Sequence, residues 1–262
     1  CNGQLAVTTI AGASAGTTNG IGTNAAFNGP TGIVLSYDGS YYLILDLNNN
    51  QIRSLTYVSQ AVSFICGGTS GRTNGVGTNA QFTNPQGIAI SSTGTFAIIA
   101  DTANHQIRQL TISTFSVSYI AGSSSAGTGT TNGVGTNALF YSPSGVAISS
   151  DNSYVIVTDF NNHQIRKVVI ATQDVSLLAG ATSVTSGNAN GVGTNAYFSS
   201  PRSVVVSSDD SYILVSDTGN NRIRQVTRAS PTSSPTSAPT RSPTYSPSSP
   251  PTYSPSVSPS FS

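Results

Sequence analysis

Short apolar runs, separated by polar turn residues, follow one another along the first 229 residues of the chain. The runs "GIVLS" (32–36), "YYLILD" (41–46), "QIRSLT" (51–56) and "AVSFIC" (61–66) are rich in β-branched and aromatic residues. Runs of this length and composition, with turn sequences such as "YDG" and "LNNN" between them, predict β-strands. No segment keeps a helical spacing of apolar residues over three turns, so we expect an all-β fold.

The strand pattern recurs because this part of the chain consists of four repeats. The sequence NG-x-GTNA begins at residues 19, 74, 132 and 190, at intervals of 55, 58 and 58 residues. Four-stranded units repeated in this way are typical of β-propellers, in which each blade packs both faces against its neighbours. An aspartate that ends an apolar run and an arginine seven residues later recur with the same intervals, as Asp46 and Arg53, Asp101 and Arg108, Asp159 and Arg166, and Asp217 and Arg224.

The two ends of the repeat region complement each other. Residues 5–12, "LAVTTIAG", match the fourth strands of the other repeats, such as "FSVSYIAG" at 115–122, whereas the last repeat stops after its third strand at 222–227. Because closure removes exposed sheet edges, this match predicts a four-bladed β-propeller closed by the N-terminal strand, with an extended polyproline II tail after it. The alternative is donation of residues 5–12 to a neighbouring subunit, which would build a fibre.

The four repeats share one order of recurring residues, and this order indicates a family. The order AG, NG-x-G-x-x-A-x-F, P-x-G-I and D-x-x-N-[NH]-[QR]-I-R resembles the NHL repeat family of β-propellers over residues 5–228, in all four copies. The chain departs from the family pattern at Arg202–Val204, where the glycine after the proline is lost, and at Cys66, where alanine is usual. Some NHL-like propellers are lyases or esterases with a metal site over the central channel, but no residues here match such a site.

The repeated NG-x-GTNA loop admits two interpretations, a ligand-binding loop or a structural element. Its glycines permit backbone conformations that other residues reach only with strain, and Asn24 and its counterparts can bond their own loop. A phosphate cradle would require a helix after the loop, and four near-identical copies follow the architecture. We therefore interpret the loop as structural, with the phenylalanines that follow it closing the seams between blades: Phe27, Phe82, Phe140 and Phe198.

The repeated aspartate and arginine are predicted to be diagonal neighbours on one face of each blade. Across a hairpin with a four-residue turn, the two side chains can bond each other and the turn amides. A ring of such pairs would hold turns and seams together. The alternative is a charged mouth that binds an anion.

Charge and candidate chemistry exclude several classes of function. Only 7% of residues are charged and the net charge is +1, so we expect no nucleic-acid partner. No apolar run is long enough to span a membrane. His105 and His163 occupy a turn position that Asn50 and Asn221 hold in the other repeats, and two histidines are too few for a metal site. We expect no enzyme activity and no cofactor.

The two cysteines, Cys1 and Cys66, flank the seam at which the ring would close. We predict a disulfide between them, which would lock the ring in an oxidising compartment. The alternatives are a bond to another subunit or a lipidated Cys1. The low charge and the abundance of serine, threonine, asparagine and glycine favour an extracellular or cell-surface location.

The composition changes abruptly after residue 229. Residues 230–262 carry proline at every fourth position, which predicts a polyproline II rod. This Ser/Pro-rich segment resembles the hydroxyproline-rich and mucin-like glycoproteins of plant and algal cell walls, which implies hydroxylated prolines and O-linked glycans; the alternative is a flexible linker. The implied sites are Pro231, Pro235, Pro239, Pro243, Pro247, Pro251, Pro255, Pro259, Ser230, Thr232, Thr236, Thr240, Thr244 and Thr252.

The leading functional hypothesis is therefore an extracellular structural protein. A propeller bead, residues 1–229, would carry a glycosylated rod, residues 230–262, and self-assemble into a fibril or cell-surface coat. The alternative is a surface-displayed propeller that binds a glycan or protein ligand, with the tail as a stalk. A weaker alternative is an NHL-like lyase or hydrolase.

Overall fold

The computed structural model describes residues 5–227, and this part of the chain is all-β, as the sequence predicts. Its strands form four antiparallel sheets, which we number as blades 1 to 4 in chain order. Blade 1 contains β1 (Gly20–Ile21), β2 (Pro30–Leu35), β3 (Tyr41–Asp46), β4 (Gln51–Thr56) and β5 (Ala61–Gly67). Blade 2 contains β6 (Gly75–Val76), β7 (Pro85–Ile90), β8 (Phe96–Asp101), β9 (Gln106–Thr111) and β10 (Ser116–Ala121). Blade 3 contains β11 (Gly133–Val134), β12 (Pro143–Ile148), β13 (Tyr154–Asp159), β14 (Gln164–Val169) and β15 (Asp174–Ala179), and blade 4 contains β16 (Pro201–Val206), β17 (Tyr212–Asp217) and β18 (Arg222–Thr227).

The strand order is the same in blades 1 to 3. Four long strands form a meander that begins at the inner strand, and a two-residue strand from the NG-x-G loop pairs with the outer strand, as in the order β1-β5-β4-β3-β2. The β1 pairing joins Gly20 to Val62 and Ile21 to Ala61. Between strands lie short 3₁₀ turns, at Gly22–Asn24, Leu47–Asn49, Gly77–Asn79, Thr102–Asn104, Gly135–Asn137, Phe160–Asn162, Gly193–Asn195 and Thr218–Asn220.

Three hydrophobic cores lie between consecutive blades. Leu45 and Ile52 of blade 1 pack with Ile99 of blade 2, and similar clusters join blades 2 and 3 and blades 3 and 4. The inner strands contact one another in chain order, from β2 to β7, β12 and β16. Because β3, β8 and β13 are buried on both faces, their sequences are nearly continuous apolar runs. The predicted arrangement of four propeller blades is thus confirmed.

The prediction that residues 5–12 close the ring is wrong. Residues 5–10 form no strand, and Leu5 and Val7 are 97% and 99% exposed. Blade 4 has three strands in the order β16-β17-β18, and no core cluster of the described residues joins blade 4 to blade 1. The physical reason is that blade 4 does not pack against blade 1 in the described chain. The segment, whose Gly12 N–H donates to the Gly22 carbonyl at 3.1 Å, therefore has no third strand of blade 4 beside it.

The other predictions at the chain ends lie outside the described residues. They are the disulfide partner Cys1, the boundary at residue 229 and all the proposed hydroxylation and glycosylation sites of residues 230–262.

Candidate functional site

A buried ion pair occupies the same place in every blade. An aspartate at the end of the second long strand accepts a hydrogen bond from an arginine on the third long strand. Both side chains are fully buried in blades 1 to 3, and Arg224 of blade 4 is 10% exposed. The Nη1–Oδ2 distances are 3.2 Å for Arg53 and Asp46, 2.9 Å for Arg108 and Asp101, 3.1 Å for Arg166 and Asp159, and 3.0 Å for Arg224 and Asp217.

Each pair is also bonded to the loop that precedes its blade. In blade 2, Arg108 donates to the carbonyls of Gln81 and Thr73 at 3.0 Å and to Asn74 Oδ1 at 2.8 Å. Asp101 Oδ1 accepts the Thr83 N–H at 2.8 Å. Asn74 is the first residue of the NG-x-GTNA loop, and its counterparts make the same bond in the other blades. The repeated loop is thus bonded to the interior of its own blade, as a structural loop would be.

Two other positions of the loop have distinct roles. Its second glycine has a positive φ in every copy, for example +57° at Gly77 and +55° at Gly135, which an L side chain adopts only with strain. The phenylalanine after the loop lies against the guanidinium group of the buried arginine, as for Phe82 and Arg108, 5.3 Å from ring centroid to Cζ. Asn24 does not make the predicted bond. Within residues 5–227, the loop asparagine that bonds through its side chain is the first of the two asparagines in each copy.

Burial opposes ionisation in these pairs. It raises the pKa of Asp101 and Asp159 above the usual value, and hydrogen bonds from the neighbouring asparagine and backbone lower it only in part. Burial likewise lowers the pKa of Arg53 and Arg166. Charges that are enclosed in this way and bonded to one another do not face a ligand, which argues for a structural role and against the anion-binding mouth.

The two histidines join neighbouring blades. His105 Nδ1 accepts the Ser142 N–H at 3.1 Å, and His163 Nδ1 accepts the Ser200 N–H at 3.0 Å. Asn50 Oδ1 accepts the Asn84 N–H at 2.9 Å in the equivalent place. The sequence predicts a polar turn residue here but not the bond between blades, because the donor is a backbone group of the next repeat.

The His105 bond predicts a dependence of stability on pH. Burial lowers the pKa of His105 from its ordinary value of 6.5, so the folded protein binds this proton less tightly than the unfolded chain. The contribution of neutral His105 is therefore present above pH 6.5 and lost as the pH falls below it. We expect the Tm of the parent to fall more between pH 8 and pH 5 than that of His105→Asn, which keeps an acceptor that cannot be protonated. Thermal unfolding at both pH values measures the difference, and equal falls would contradict the assignment.

The inner strands of all four blades line a common cleft. A cavity of about 480 Å³ is bordered by β2, β7, β12 and β16. A second cavity of about 210 Å³ adjoins it, since both are lined by Gln86, Ser144 and Arg202. Thr102, Phe160 and Asn161 complete the second cavity together with Ser142. The cleft thus combines hydrogen-bonding side chains, one aromatic ring and one arginine.

Arg202 is the charged residue of this cleft. The other repeats carry Thr31, Gln86 and Ser144 at this position. The Arg202 side chain is exposed and makes no ion pair with any of residues 5–227. Its backbone is fixed, because the Arg202 carbonyl accepts hydrogen bonds from Ser144 Oγ at 2.9 Å and Thr158 Oγ1 at 3.0 Å. The sequence shows that the repeat pattern breaks here, but not that the arginine stands in a cleft.

Other candidate chemistry is sparse. No group of three or more histidine, cysteine or acidic residues that could hold a metal occurs in the described part of the chain. Among the same residues, no helix is long and apolar enough to cross a membrane. Cys66 is fully buried in the core between blades 1 and 2, and burial raises the pKa of its thiol to about 12. The disulfide with Cys1 stays a prediction.

Comparisons with known proteins agree with this architecture. The NHL repeat family model matches residues 140–168. NHL repeat-containing protein 2 of Homo sapiens is 29% identical over 168 residues, covering 59% of this chain and 22% of that protein. The Bos taurus protein of the same name is 28% identical over 166 residues, covering 58% and 22%. The chain therefore corresponds to less than a quarter of the length of these relatives.

Solved structures share the fold at low sequence identity. An auxiliary nutrient binding protein from Bacteroides ovatus matches with a TM-score of 0.61 and 16% identity, over 77% of this chain and 48% of that chain. The β-propeller domain of Cps50 (Swd1) from Myceliophteria thermophila matches with a TM-score of 0.50 and 10% identity, over 76% and 54%. At these identities the likeness shows the fold alone.

Proposed function

We propose that this chain, which is an NHL-repeat β-propeller protein, binds an acidic sugar in the cleft between its inner strands. The observation that carries the proposal is Arg202, a cation without an ion-pair partner in the described chain, placed where the other repeats have uncharged residues. A guanidinium group recognises a carboxylate or sulfate through charge-assisted hydrogen bonds. Nutrient binding is the described role of the Bacteroides ovatus propeller, and it gives a reason to look for a small ligand here.

The rest of the cleft suits a sugar. Gln86 and Asn161 offer amide groups to ring hydroxyls, and Phe160 offers an aromatic surface. Binding sites commonly combine a concave shape with a few placed polar groups. Ser144 also donates to the Arg202 carbonyl, which fixes the backbone from which the Arg202 side chain extends.

We propose binding without catalysis and without a cofactor. The ring nitrogens Nδ1 of both histidines are engaged between blades. Turn aspartates such as Asp151 and Asp209 accept hydrogen bonds from neighbouring serines, which lower the pKa of both to about 2. A carboxyl group with so low a pKa is a weak general base at neutral pH.

Titration calorimetry with trigalacturonic acid, and with maltotriose as the neutral probe, tests the binding proposal. We expect the acidic trisaccharide to bind and Arg202→Gln to weaken it at least about tenfold, the loss of a charge-assisted hydrogen bond. Glutamine is the residue of blade 2 at this position, so the fold should tolerate it.

Arg222→Gln is the matched control, because it also replaces an exposed arginine with the residue of the other repeats, as in Gln51. Arg222 lies outside the cleft, so this variant should bind like the parent. Equal affinity of the parent for the acidic and neutral sugars, or equal weakening by both variants, would exclude the proposed role of Arg202.

A second proposed function is that of an extracellular structural unit that assembles into a fibril or coat. The observation that favours it is the unpaired strand sequence at residues 5–11 together with the three-stranded blade 4. The glycosylated rod of this proposal rests on the sequence of residues 230–262, and the extracellular location rests on composition.

A further inference from the structure

Residues 5–11 have the sequence of a blade strand but lie unpaired. In blades 1 to 3 the second residue of the outer strand is a buried valine: Val62, Val117 and Val175 are 2%, 2% and 4% exposed. Its counterpart Val7 is 99% exposed. An apolar residue that is buried at three equivalent positions and fully exposed at the fourth indicates that the fourth copy lacks its partner surface.

Blade 4 has a matching vacancy. In blade 1 the outer strand β5 lies between β4 and the loop strand β1. The equivalent place in blade 4 lies between β18 and Gly191–Val192, and none of residues 5–227 occupies it as a strand. Ile223 of β18 is 72% exposed, whereas the equivalent Ile52, Ile107 and Ile165 are fully buried.

A groove marks where the missing valine belongs. A cavity of about 490 Å³ between blades 3 and 4 is lined by Leu178, Ile213 and Val226. In blades 2 and 3, the fourth-strand valines Val117 and Val175 pair with Leu110 and Val168, the counterparts of Val226. Val7 would therefore stand opposite Val226, at the edge of this groove.

The anchoring of the segment places it at a seam before blade 1, and the chain's own blade 4 forms no core cluster with blade 1 there. Gly12 bonds to Gly22 in the way that Gly122 bonds to Gly135 at an internal seam, where the outer strand belongs to the blade before the seam. Residues 5–11 thus stand where the outer strand of a blade preceding blade 1 would be. Within the described chain no blade covers that face: Ile33 is 59% exposed, against 7% for its counterparts Val146 and Val204.

We propose that residues 5–11 form the fourth strand of blade 4 in a second copy of this chain, which packs its blade 4 against the open face of blade 1. The contact is head-to-tail, so it either closes into a ring or continues as a fibre. Two copies would give eight blades, within the range that propellers adopt. The inference deepens the proposed assembly role and is independent of ligand binding in the cleft.

The bonds across the new seam can be specified from the existing seams. The N–H groups of Asn84, Ser142 and Ser200 donate to Asn50, His105 and His163 of the preceding blade. Gly29 and Asn221 stand at the equivalent positions, and no hydrogen bond joins them within residues 5–227. The second copy would bring this donor and this acceptor together.

Disulfide trapping between separately made chains tests the strand pairing. Lys167 and Ser176 pair across β14 and β15, as Ser54 and Ser63 do in blade 1, so Thr8 should lie opposite Gln225. Full-length Thr8→Cys and Gln225→Cys chains, both carrying Cys1→Ser and Cys66→Ala, are mixed and oxidised. We expect a disulfide-linked heterodimer at a yield at least about tenfold above that of Thr8→Cys mixed with Val58→Cys, since Val58 is 91% exposed in a turn.

Two disulfide-trapping results would contradict strand pairing between copies. A yield equal to the Val58 control would overturn the proposal. A single chain carrying both Thr8→Cys and Gln225→Cys that forms only an internal disulfide would show closure within one chain instead. Neither result bears on sugar binding, so failure here is distinguishable from failure of the cleft proposal.

The mass of the full-length protein in solution gives an independent readout. The parent should sediment as a dimer or larger species, and Val7→Asp should shift it to the monomer because a carboxylate would be placed opposite the apolar side chain of Val226. Since Val7 is exposed within one chain, the substitution should leave the fold intact. Val58→Asp is the matched control and should sediment like the parent. A monomeric parent, or equal masses for all three proteins, contradicts the proposal.

Discussion

Replacing Arg108 with methionine is expected to lower the free energy of unfolding by about 3–5 kcal/mol. The substitution leaves the Asp101 carboxylate buried without its cation, and it removes the hydrogen bonds to Gln81, Thr73 and Asn74. An uncompensated charge in the interior costs more than the ion pair contributes, because water cannot replace the lost partner. Denaturant titration followed by circular dichroism measures the loss.

Arg224→Met is the matched control when both substitutions are made in the Val7→Asp background, where self-association does not cover blade 4. Arg224 makes the equivalent bonds to Asp217, Tyr197 and Asn190 but is 10% exposed at the open edge of blade 4. Water can solvate part of the polar groups, such as the Asp217 carboxylate, that the substitution leaves unpaired. We therefore expect a smaller loss of unfolding free energy, about 1–3 kcal/mol. A loss for Arg108→Met no larger than for Arg224→Met would contradict the assigned importance of burial.

Phe140→Ala should cost about 3–5 kcal/mol. The Phe140 ring is fully buried in the core between blades 2 and 3, and it lies 5.3 Å from the Cζ of Arg166. Truncation removes apolar contacts with two blades and leaves a cavity between rigid sheets, which relax little. The same denaturant titration measures the loss.

Phe27→Ala provides the comparison, since Phe27 is equivalent but only partly buried, on the open face of blade 1. Phe27→Ala should lower the free energy of unfolding clearly less than Phe140→Ala does. Both substitutions are made in the Val7→Asp background, where self-association does not cover that face. Equal losses of unfolding free energy would show that the face of blade 1 is as well covered as the seams between blades, contrary to the structure.

The architecture is predictable from the sequence because four copies report the same structure. The strands read from residues 32–66 agree with β2 to β5 within about two residues, and the aspartate–arginine pairs lie where the hairpin geometry places them. Repetition turns a weak local pattern into a firm one, since a position that recurs in every copy must serve the blade itself.

Features that depend on a neighbour were not predictable in the same way. The sequence of residues 5–12 identifies a strand, but the same hydrogen-bonding pattern fits the edge of its own blade 4 or that of another copy. Arg202 occurs in one repeat only, so the repeat pattern shows that this residue differs from its counterparts but does not predict that it lies in the cleft. The bond of His105 to the next blade depends on a backbone N–H that no side-chain pattern reveals.

The internal ion pairs also determine what the outer surface can do. Of the ten basic and nine acidic residues in the chain, four of each lie in these pairs. The surface of residues 5–227 therefore carries few charges, with little long-range field to attract or repel other molecules. Contacts between such surfaces should change little with added salt, in fresh or saline water alike.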